Sequence, residues 1–204
     1  MGLGNAFARM AVSGEASAGW GLAALAGRIV EISGRGASAH LTAAFGLVLE
    51  AQQKGEAAAW VSLHESCFFP PDVADLGVDL DVLAVVRVPD ARAAGRAVDQ
   101  LVRSAGFGLV VVDITPCLER ERIAAPLLTR LMGLAQKHDT AVVILTEKVA
   151  PAASLSSLVS LRVEARRTWR DDGRGEIEIA ILKDKRQGPG GAYREVCRGP
   201  DGLR

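Results

Sequence analysis

The stretch GRIVEISGRGASAHLT, residues 27–42, decides how the rest of the chain is interpreted. Apolar side chains alternate with other residues along 28–33, which is typical of a strand. Gly34 and Gly36 then interrupt this pattern, and apolar residues recur with helical spacing over 39–53. The stretch therefore predicts a strand, a glycine turn and a helix, which is the place where a phosphate-binding loop would lie.

A working loop of this kind reads G-x-x-x-x-G-K-[ST], because each position makes a separate contact with the nucleotide. The corresponding positions are Gly34, Arg35, Gly36, Ala37, Ser38, Ala39, His40 and Leu41. Ala39 adds a Cβ where backbone should approach phosphate, His40 is mostly neutral near pH 7, and Leu41 has no oxygen for Mg²⁺. Losing the lysine contact alone costs roughly 1.5–3 kcal/mol, or about tenfold to over a hundredfold in affinity.

Two interpretations of these positions remain open. In the first, the scaffold of the loop is kept and its chemistry is removed, so that ATP and Mg²⁺ bind weakly or not at all. In the second, this is an ordinary strand–turn–helix junction that never bound phosphate.

The remaining pattern predicts an α/β fold. Strands are expected at 57–63, 82–88, 109–113 and 140–146, and helices from Pro70, at 91–104 with Asp90 as N-cap, and at 119–137. This alternation indicates a mostly parallel sheet with helices on both faces. Three further strands at 158–169, 175–185 and 192–197, joined by glycine-containing turns, predict an antiparallel extension. We expect a short helix and loop over 1–26 and one core domain over 27–204.

Composition narrows the function classes. With 204 residues and 49% hydrophobic content, the chain can bury one substantial core. The 24 basic and 24 acidic residues balance, which argues against a strong sequence-independent grip on nucleic acid. Cys67, Cys117 and Cys197 are far apart and form no C-x-x-C pair, so neither disulfides nor a metal site is expected. No apolar run is long enough to span a membrane, and a cytoplasmic location follows as the expectation.

Several segments resemble the core of the RecA recombinase family and occur in that family's order. They are the opening GRIVEI, AWVSL (59–63), LGVDLDVLAVVRVPD (76–90), GLVVVDI (108–114), AVVILTEK (141–148) and AILKDK (180–185). The resemblance covers about residues 15–198 and implies a RecA-like, P-loop-type core. Its specificity comes from the ordered matches rather than from any single motif.

The resemblance also suggests roles for residues at the strand ends. In open parallel sheets ligands lie beyond the carboxyl ends of strands, so residues 62–66, Asp113 and 146–147 should converge on the opening loop. Asp113 matches the family's Mg²⁺-associated aspartate, and the alternative is a carboxylate that caps the next turn. Glu147 stands at the position of the family's glutamine sensor and would repel a γ-phosphate. His64 and Glu65 lie near the position of the catalytic glutamate, and Glu65 would serve only if the register slips by one.

Lys183 and Lys185 match a lysine pair with which RecA protomers reach a neighbour's ATP. Together with Arg186 they are the candidate partner-binding residues, and the alternative is a solvated strand face. Trp60 and Trp169 are expected in core or edge packing rather than as stacking platforms for bases. The family's DNA-holding loops are expected to be short here, with only a few residues between Asp113 and the next helix. The N-terminal polymerisation elements of the family are not evident in 1–26.

A RecA core without working ATP and DNA loops resembles the ImuA group of SulA-like or RecA-like accessory proteins. This resemblance implies a non-catalytic role in SOS mutagenesis by translesion synthesis, with RecA and the polymerase-like adaptor ImuB as partners. Direct DNA binding is then expected to be weak or absent. The alternative function is a weak ATPase that uses His40 and Asp113 and acts on DNA.

Overall fold

The computed structural model describes residues 20–36, 38–66, 68–115, 123–169 and 175–197. The helices are α1 (Leu22–Leu25), α2 (His40–Gln53), α3 (Pro70–Asp75), α4 (Ala91–Arg103) and α5 (Ala125–His138). The strands are β1 (Ile29–Gly34), β2 (Ala58–Leu63), β3 (Leu83–Val88), β4 (Leu109–Asp113), β5 (Ala141–Glu147), β6 (Leu161–Trp169), β7 (Gly175–Asp184) and β8 (Ala192–Cys197).

The strands form one sheet in the order β3-β2-β4-β5-β1-β6-β7-β8. Neighbouring strands from β3 to β6 pair in parallel, whereas β7 pairs antiparallel with both β6 and β8. One apolar cluster joins α1 and α2 to one face of the sheet, and a second joins α4 and α5 to the other. The predicted mostly parallel sheet with helices on both faces and an antiparallel extension is confirmed.

An aromatic cluster occupies the core on the α2 side. The rings of Phe45 and Trp60 stack with centroids 4.3 Å apart and an interplanar angle of 9°, and Phe68 tilts against both. Trp60 is fully buried, so its predicted role in core packing is confirmed. The side chain of Trp169 lies outside the described part of the chain.

The predicted helix over 119–137 is wrong at its start. Residues 116–122 lie outside the described ranges, Ile123 and Ala124 are not helical, and α5 begins at Ala125. Pro126 explains the difference, because proline is tolerated in the first turn of a helix but removes a hydrogen bond from its interior. Residues 114–124 separate β4 from α5 in the sequence, and of these the structure describes 114, 115, 123 and 124.

Glu31, in the middle of β1, is fully buried and ionic contacts surround it. Its Oε1 accepts hydrogen bonds from Thr146 Oγ1 and Lys148 Nζ, each at 2.9 Å. Its Oε2 accepts from the backbone N–H of Leu155 at 2.7 Å and lies 4.0 Å from Arg162 Nε. These contacts fix the connection between β5 and β6 against the central strand.

A second buried ion pair links the start of β1 to the end of β7. Arg28 donates to Asp184 at 2.6 Å, and the two side chains are 3% and 1% exposed. The same guanidinium also donates to the hydroxyl and the carbonyl of Ser160, each at 3.0 Å. Ser160 thereby ends the irregular segment before β6, which begins at Leu161 rather than at the predicted residue 158.

We expect Asp184→Asn to lower the free energy of unfolding by about 3–5 kcal/mol at pH 7, because Arg28 would keep a buried charge without a counter-charge. Glu178→Gln is the matched control, since it removes a more exposed ion pair with Arg194 and should cost less than about 1 kcal/mol. Urea unfolding followed by circular dichroism measures both variants. Equal losses in the two variants would contradict the assigned role.

The same pair predicts a pH dependence. Burial favours a higher pKa for Asp184, but hydrogen bonds from Arg28 and from the backbone of Arg186 and Gln187 outweigh it, so the pKa is lowered overall. Ionised Asp184 therefore contributes its full stability above the unfolded pKa of about 3.9, and this contribution is lost as the pH falls through the lower folded pKa. The advantage of the wild type over Asp184→Asn should shrink over that range.

Candidate functional site

The carboxyl ends of four parallel strands meet at one edge of the sheet and define the candidate site. Ser62 on β2 pairs in register with Asp113 on β4, and Asp113 pairs with Leu145 on β5. Gly34 at the end of β1 pairs with Glu147 at the end of β5. Asp113 and Glu147 therefore lie at the edge where the opening loop leaves the sheet, as the sequence predicted.

The described part of the loop turns sharply between β1 and α2. A Cβ on Gly34 would lie 2.6 Å from the Cβ of Ser38, so glycine is required by close approach. Gly36 has φ +61°, a left-handed conformation that glycine adopts without strain. The backbone N–H of Ala39 donates to the carbonyl of Ala165 on β6, which attaches the loop to the sheet. Ala37 lies outside the described residues.

Side chains at and just before the start of α2 lie at the positions where a working loop would contact nucleotide. Ser38 Oγ and His40 Nδ1 form a short hydrogen bond. Leu41, at the position of the Mg²⁺-binding hydroxyl, packs against the apolar core instead. Arg35, one residue after β1, is exposed. The first turn holds no acidic residue and no side chain caps it.

His40 lies close enough to two carboxylates to be influenced by both. Burial lowers the pKa of His40, and the negative charges of Asp113 and Glu147 offset part of this effect without reversing it. The imidazole is therefore neutral near pH 7. A neutral ring offers no positive charge to a phosphate group.

Asp113 is 1% exposed and caps the turn that follows β4. Its Oδ1 accepts from the hydroxyl of Thr115 at 2.7 Å and from the backbone N–H of the same residue at 3.1 Å. The capping alternative stated for Asp113 thus has direct structural support. Its Oδ2 is also buried, but no hydrogen-bond donor within the described residues reaches it. The hydroxyl of neighbouring Ser62 is likewise buried without a partner.

Other residues named from the sequence lie around or away from this site. The side chains of Glu147, His64 and Glu65 are exposed. Thr146 is a correction to the expected convergence, because its hydroxyl faces Glu31 on the other side of the sheet. Across the described ranges, no group of three or more His, Cys, Asp or Glu side chains is arranged to hold a metal ion. In the same ranges no helix has both the length and the apolar character needed to cross a membrane.

The candidate partner-binding residues lie toward the other end of the strands, on the side where the parallel strands begin. Lys183 pairs in register with Arg162 near the start of β6, and it makes no side-chain hydrogen bond or ion pair within the described residues. Burial and the positive charge of Lys185 lower the pKa of Lys183. Lys185 Nζ donates to the carbonyl of Ser157 at 2.6 Å. Arg186 donates to the carbonyl of Ala26 at 3.3 Å, so its side chain is engaged with the segment before β1.

The RecA N-terminal domain family matches residues 9–151, which include β1 to β5 and the loop before α2. The chain belongs to the RecA N-terminal domain family. Protein RecA from Caulobacter vibrioides is 30% identical over an alignment of 204 residues, covering 83% of this chain and 56% of that protein. Protein RecA from a Synechococcus strain is 38% identical over 122 residues, covering 56% of this chain and 32% of that protein.

This chain spans about half the length of the first of these RecA proteins. The residues that sequence reasoning missed are the buried charges, since neither Glu31 nor the Arg28–Asp184 pair was singled out. A signal was present, because Arg28 and Glu31 flank Ile29 and Val30 in a strand expected to be buried on both faces. Charged residues at such positions require partners, which the sequence alone does not identify.

Titration of His40 tests the electrostatics of the site. We expect its pKa to lie below the ordinary histidine value of about 6.5, and Asp113→Asn to lower it further by removing a nearby negative charge. Asp81→Asn, in the exposed turn before β3, is the control and should leave the value unchanged. NMR spectra of the imidazole protons between pH 4 and 8 give the measurement. A rise in the pKa of His40 on replacing Asp113 would contradict this arrangement.

Proposed function

We propose that this chain is a non-catalytic RecA-like accessory protein of the ImuA type that acts in DNA-damage-induced mutagenesis. It would bind RecA, an ImuB-like adaptor of the error-prone polymerase complex, or both, in the cytoplasm. The observation that carries the proposal is the strand-end site. It keeps the strand, loop and helix of a nucleotide site, while a neutral imidazole and an apolar side chain occupy the lysine and hydroxyl positions.

The charge of the site supports the same conclusion. Asp113 and Glu147 both lie near His40, and no lysine or arginine follows in the first turn of α2 to offset them. The phosphates of ATP would therefore approach two carboxylates with no cation at the lysine position, which opposes binding, and exposed Arg35 is the one basic residue of the loop. The alternative function, a weak RecA-class ATPase acting on DNA, rests on Asp113, whose unpartnered Oδ2 remains at the position of the family's Mg²⁺-associated aspartate.

Isothermal titration calorimetry with Mg-ATP separates these two functions. We expect no saturable binding at millimolar nucleotide, because the contacts from the lysine and hydroxyl positions are missing. The triple variant Ala39→Gly, His40→Lys, Leu41→Thr restores the motif and should raise ATP affinity at least about tenfold if the scaffold derives from a phosphate-binding loop. No gain in this variant would favour the ordinary-junction interpretation. Saturable wild-type binding that is lost in Asp113→Ala would instead support the ATPase.

Partner binding is proposed to involve the basic edge formed by Lys183, Lys185 and Arg186. Subunits that associate head to tail use different surfaces at their two ends, so a chain without ATP binding could join a RecA filament through one end and fail to support the next addition. It would then change filament growth or RecA ATPase activity without catalysing a reaction itself. Among the three residues, Lys183 is the one whose side chain has no hydrogen bond or ion pair within the described ranges.

Charge reversal tests this edge. We expect Lys183→Glu, Lys185→Glu, Arg186→Glu together to weaken RecA binding by more than about 1 kcal/mol if the residues meet acidic groups. Among single variants, Lys183→Glu should have the largest effect and Arg186→Glu the smallest, because Arg186 is engaged with Ala26. Biolayer interferometry on RecA filaments measures the affinities, with Lys137→Glu on α5 as a surface-charge control.

Three outcomes would change this proposal. Unchanged RecA binding by a folded triple variant would exclude the basic edge as the contact. No detectable RecA binding by the wild type would leave the ImuB-like adaptor as the proposed partner. Tight binding of single-stranded DNA at physiological salt by the isolated chain would contradict an accessory role without direct DNA contact. The balanced charge of the chain supports weak DNA binding.

A further inference from the structure

The two helices that pack on one face of the sheet, α4 and α5, carry an excess of positive charge. They hold five arginine or lysine residues and one acidic residue, Asp99, whereas the basic and acidic residues of the whole chain balance. The exposed positions of α4 form a single stripe along the helix, made of Arg92, Arg96, Gln100 and Arg103. This stripe has no acidic member, although alternating signs are typical of a charged helix face that meets only solvent.

The C-terminal half of α4 shows how this surface holds a carboxylate. Asp99 Oδ2 accepts a hydrogen bond from Arg103 at 2.9 Å, and Asp99 Oδ1 forms an ion pair with Arg130 of α5 at 2.8 Å. The two helices approach closely here, since a Cβ on Gly95 would lie 2.4 Å from Cδ2 of Leu127. One carboxylate between the helices thus engages two guanidinium groups.

The N-terminal half of α4 repeats this pattern without the carboxylate. Arg92 and Arg96 stand seven residues before Asp99 and Arg103, so they lie on the same face of the helix two turns earlier. Neither Arg92 nor Arg96 makes a side-chain hydrogen bond or ion pair within the described residues. Like charges four residues apart destabilise a helix, and Arg92 also lies in the first turn, where the helix dipole disfavours a cation. The pair therefore destabilises α4, and carboxylates from another molecule would relieve this effect.

The surroundings of the pair favour protein carboxylates over a nucleic acid. The sequences of α4 and α5 contain no Phe, Tyr or Trp on which a base could stack. Two arginines would neutralise few phosphates, and binding to a nucleic acid backbone gains affinity with each phosphate contact. Carboxylates are, by contrast, the groups that the same helix face already binds through Asp99.

We propose that Arg92 and Arg96 form a docking surface for an acidic helix of a partner protein, with one carboxylate on each guanidinium. Residues four apart rise about 6 Å along a helix, so acidic residues at that spacing on the partner match the two arginines. The surface is separate from the basic edge, because α4 contacts β2, β3 and β4, and three strands lie between β4 and β7 in the sheet. The inference rests on the proposed function only in taking the partner to be a protein.

Titration with designed peptides tests the docking surface without RecA. The probe is an alanine-based helical peptide with glutamate at every fourth position, and the same peptide with glutamine is the uncharged comparison. We expect the glutamate peptide to give saturable NMR shifts at the backbone amides of α4 around Arg92 and Arg96, and the glutamine peptide to give none. Arg96→Glu should weaken binding about fivefold, and the double variant Arg92→Glu, Arg96→Glu more than about tenfold. Lys137→Glu, near the C-terminal end of α5, makes the same change of charge as Arg96→Glu and should alter the affinity less than about twofold.

Stability gives a second measurement on the same residues. Arg92→Glu recreates the order of acid and arginine found at Asp99 and Arg103, and it places a negative charge in the first turn of α4. We therefore expect this variant to unfold at a higher urea concentration than the wild type while binding the glutamate peptide more weakly. A lower midpoint of unfolding would show that Arg92 does not destabilise α4 and would remove that support.

Four results would overturn the proposal. Equal shifts from the glutamine peptide would show no selection for charge, and unchanged affinity in the folded double variant would place binding elsewhere. Tighter binding of a deoxythymidine oligomer than of the glutamate peptide, lost in the same double variant, would assign the surface to nucleic acid. Peptide binding that requires Glu119→Gln and Glu121→Gln, two residues outside the described ranges, would show that the chain's own carboxylates occupy the pair. Absence of RecA binding by the wild type would contradict the proposed function, while the peptide titration would still decide whether this surface binds acidic helices.

Discussion

The fold depends on the hydrogen bonds and positive charges that compensate one buried carboxylate, that of Glu31. Glu31 lies in the strand at the centre of the sheet and has no exposed surface. Removing such a group from water costs several kcal/mol unless oppositely charged and hydrogen-bonding partners surround it. Its partners come from β5, from β6 and from the connection between them, through Thr146, Lys148, Leu155 and Arg162. Satisfying Glu31 therefore fixes two neighbouring strands and the path of the chain that joins them.

That constraint explains how the segment after β5 is held. The guanidinium of Arg162 donates to the carbonyls of Ala152 and Val149, and Lys148 donates to the carbonyl of Ala153 as well as to Glu31. Lys148 thus binds the Glu31 carboxylate and the backbone of the connection at the same time, and Arg162 holds the same backbone while its Nε lies 4.0 Å from Glu31 Oε2. Arg28, just before β1, makes a similar pair of contacts, because its guanidinium donates both to the carbonyl of Ser160 and to Asp184. Residues 148–160 are in this way attached to the sheet through buried charges as well as through Val159, Leu155 and Leu158, which pack into the apolar cluster on the α4 and α5 side.

The fold could be predicted well from the sequence, because the spacing of apolar residues along the chain reflects which side chains are buried. The strand β4 and the strand β8 have their predicted bounds, and Asp90 caps α4 by accepting from the N–H of Ala93. The errors occur where a local effect competes with periodicity. Pro126 determines where α5 begins, and the Arg28–Ser160 contacts determine where β6 begins. Ion pairs such as Arg28–Asp184 join residues that are remote in sequence, so no local pattern could have paired them.

The backbone of the candidate site could be predicted from the sequence, whereas its electrostatics could not. Glycines mark the turn, and the carboxyl ends of parallel strands lie together on one side of the sheet. The electrostatics could not be predicted, because the pKa of His40 depends on burial and on Asp113 and Glu147, which come from different strands. The partner of Ser38 and the unpartnered hydroxyl of Ser62 also follow only from three-dimensional packing.

The two ends of the parallel strands thus differ in charge. Near the carboxyl ends Asp113 and Glu147 act on a neutral imidazole, and toward the amino ends Lys183 and Lys185 lie near each other, with Arg162 and the Lys148-paired Glu31 close by. Asp184 does not cancel the second group, because its charge is already taken by Arg28 on the other side of the strand. Each group of charges is carried by strands that pair in a fixed register. A partner that binds the basic edge, as proposed, would therefore meet the lysines from one end of the strands with an acidic surface.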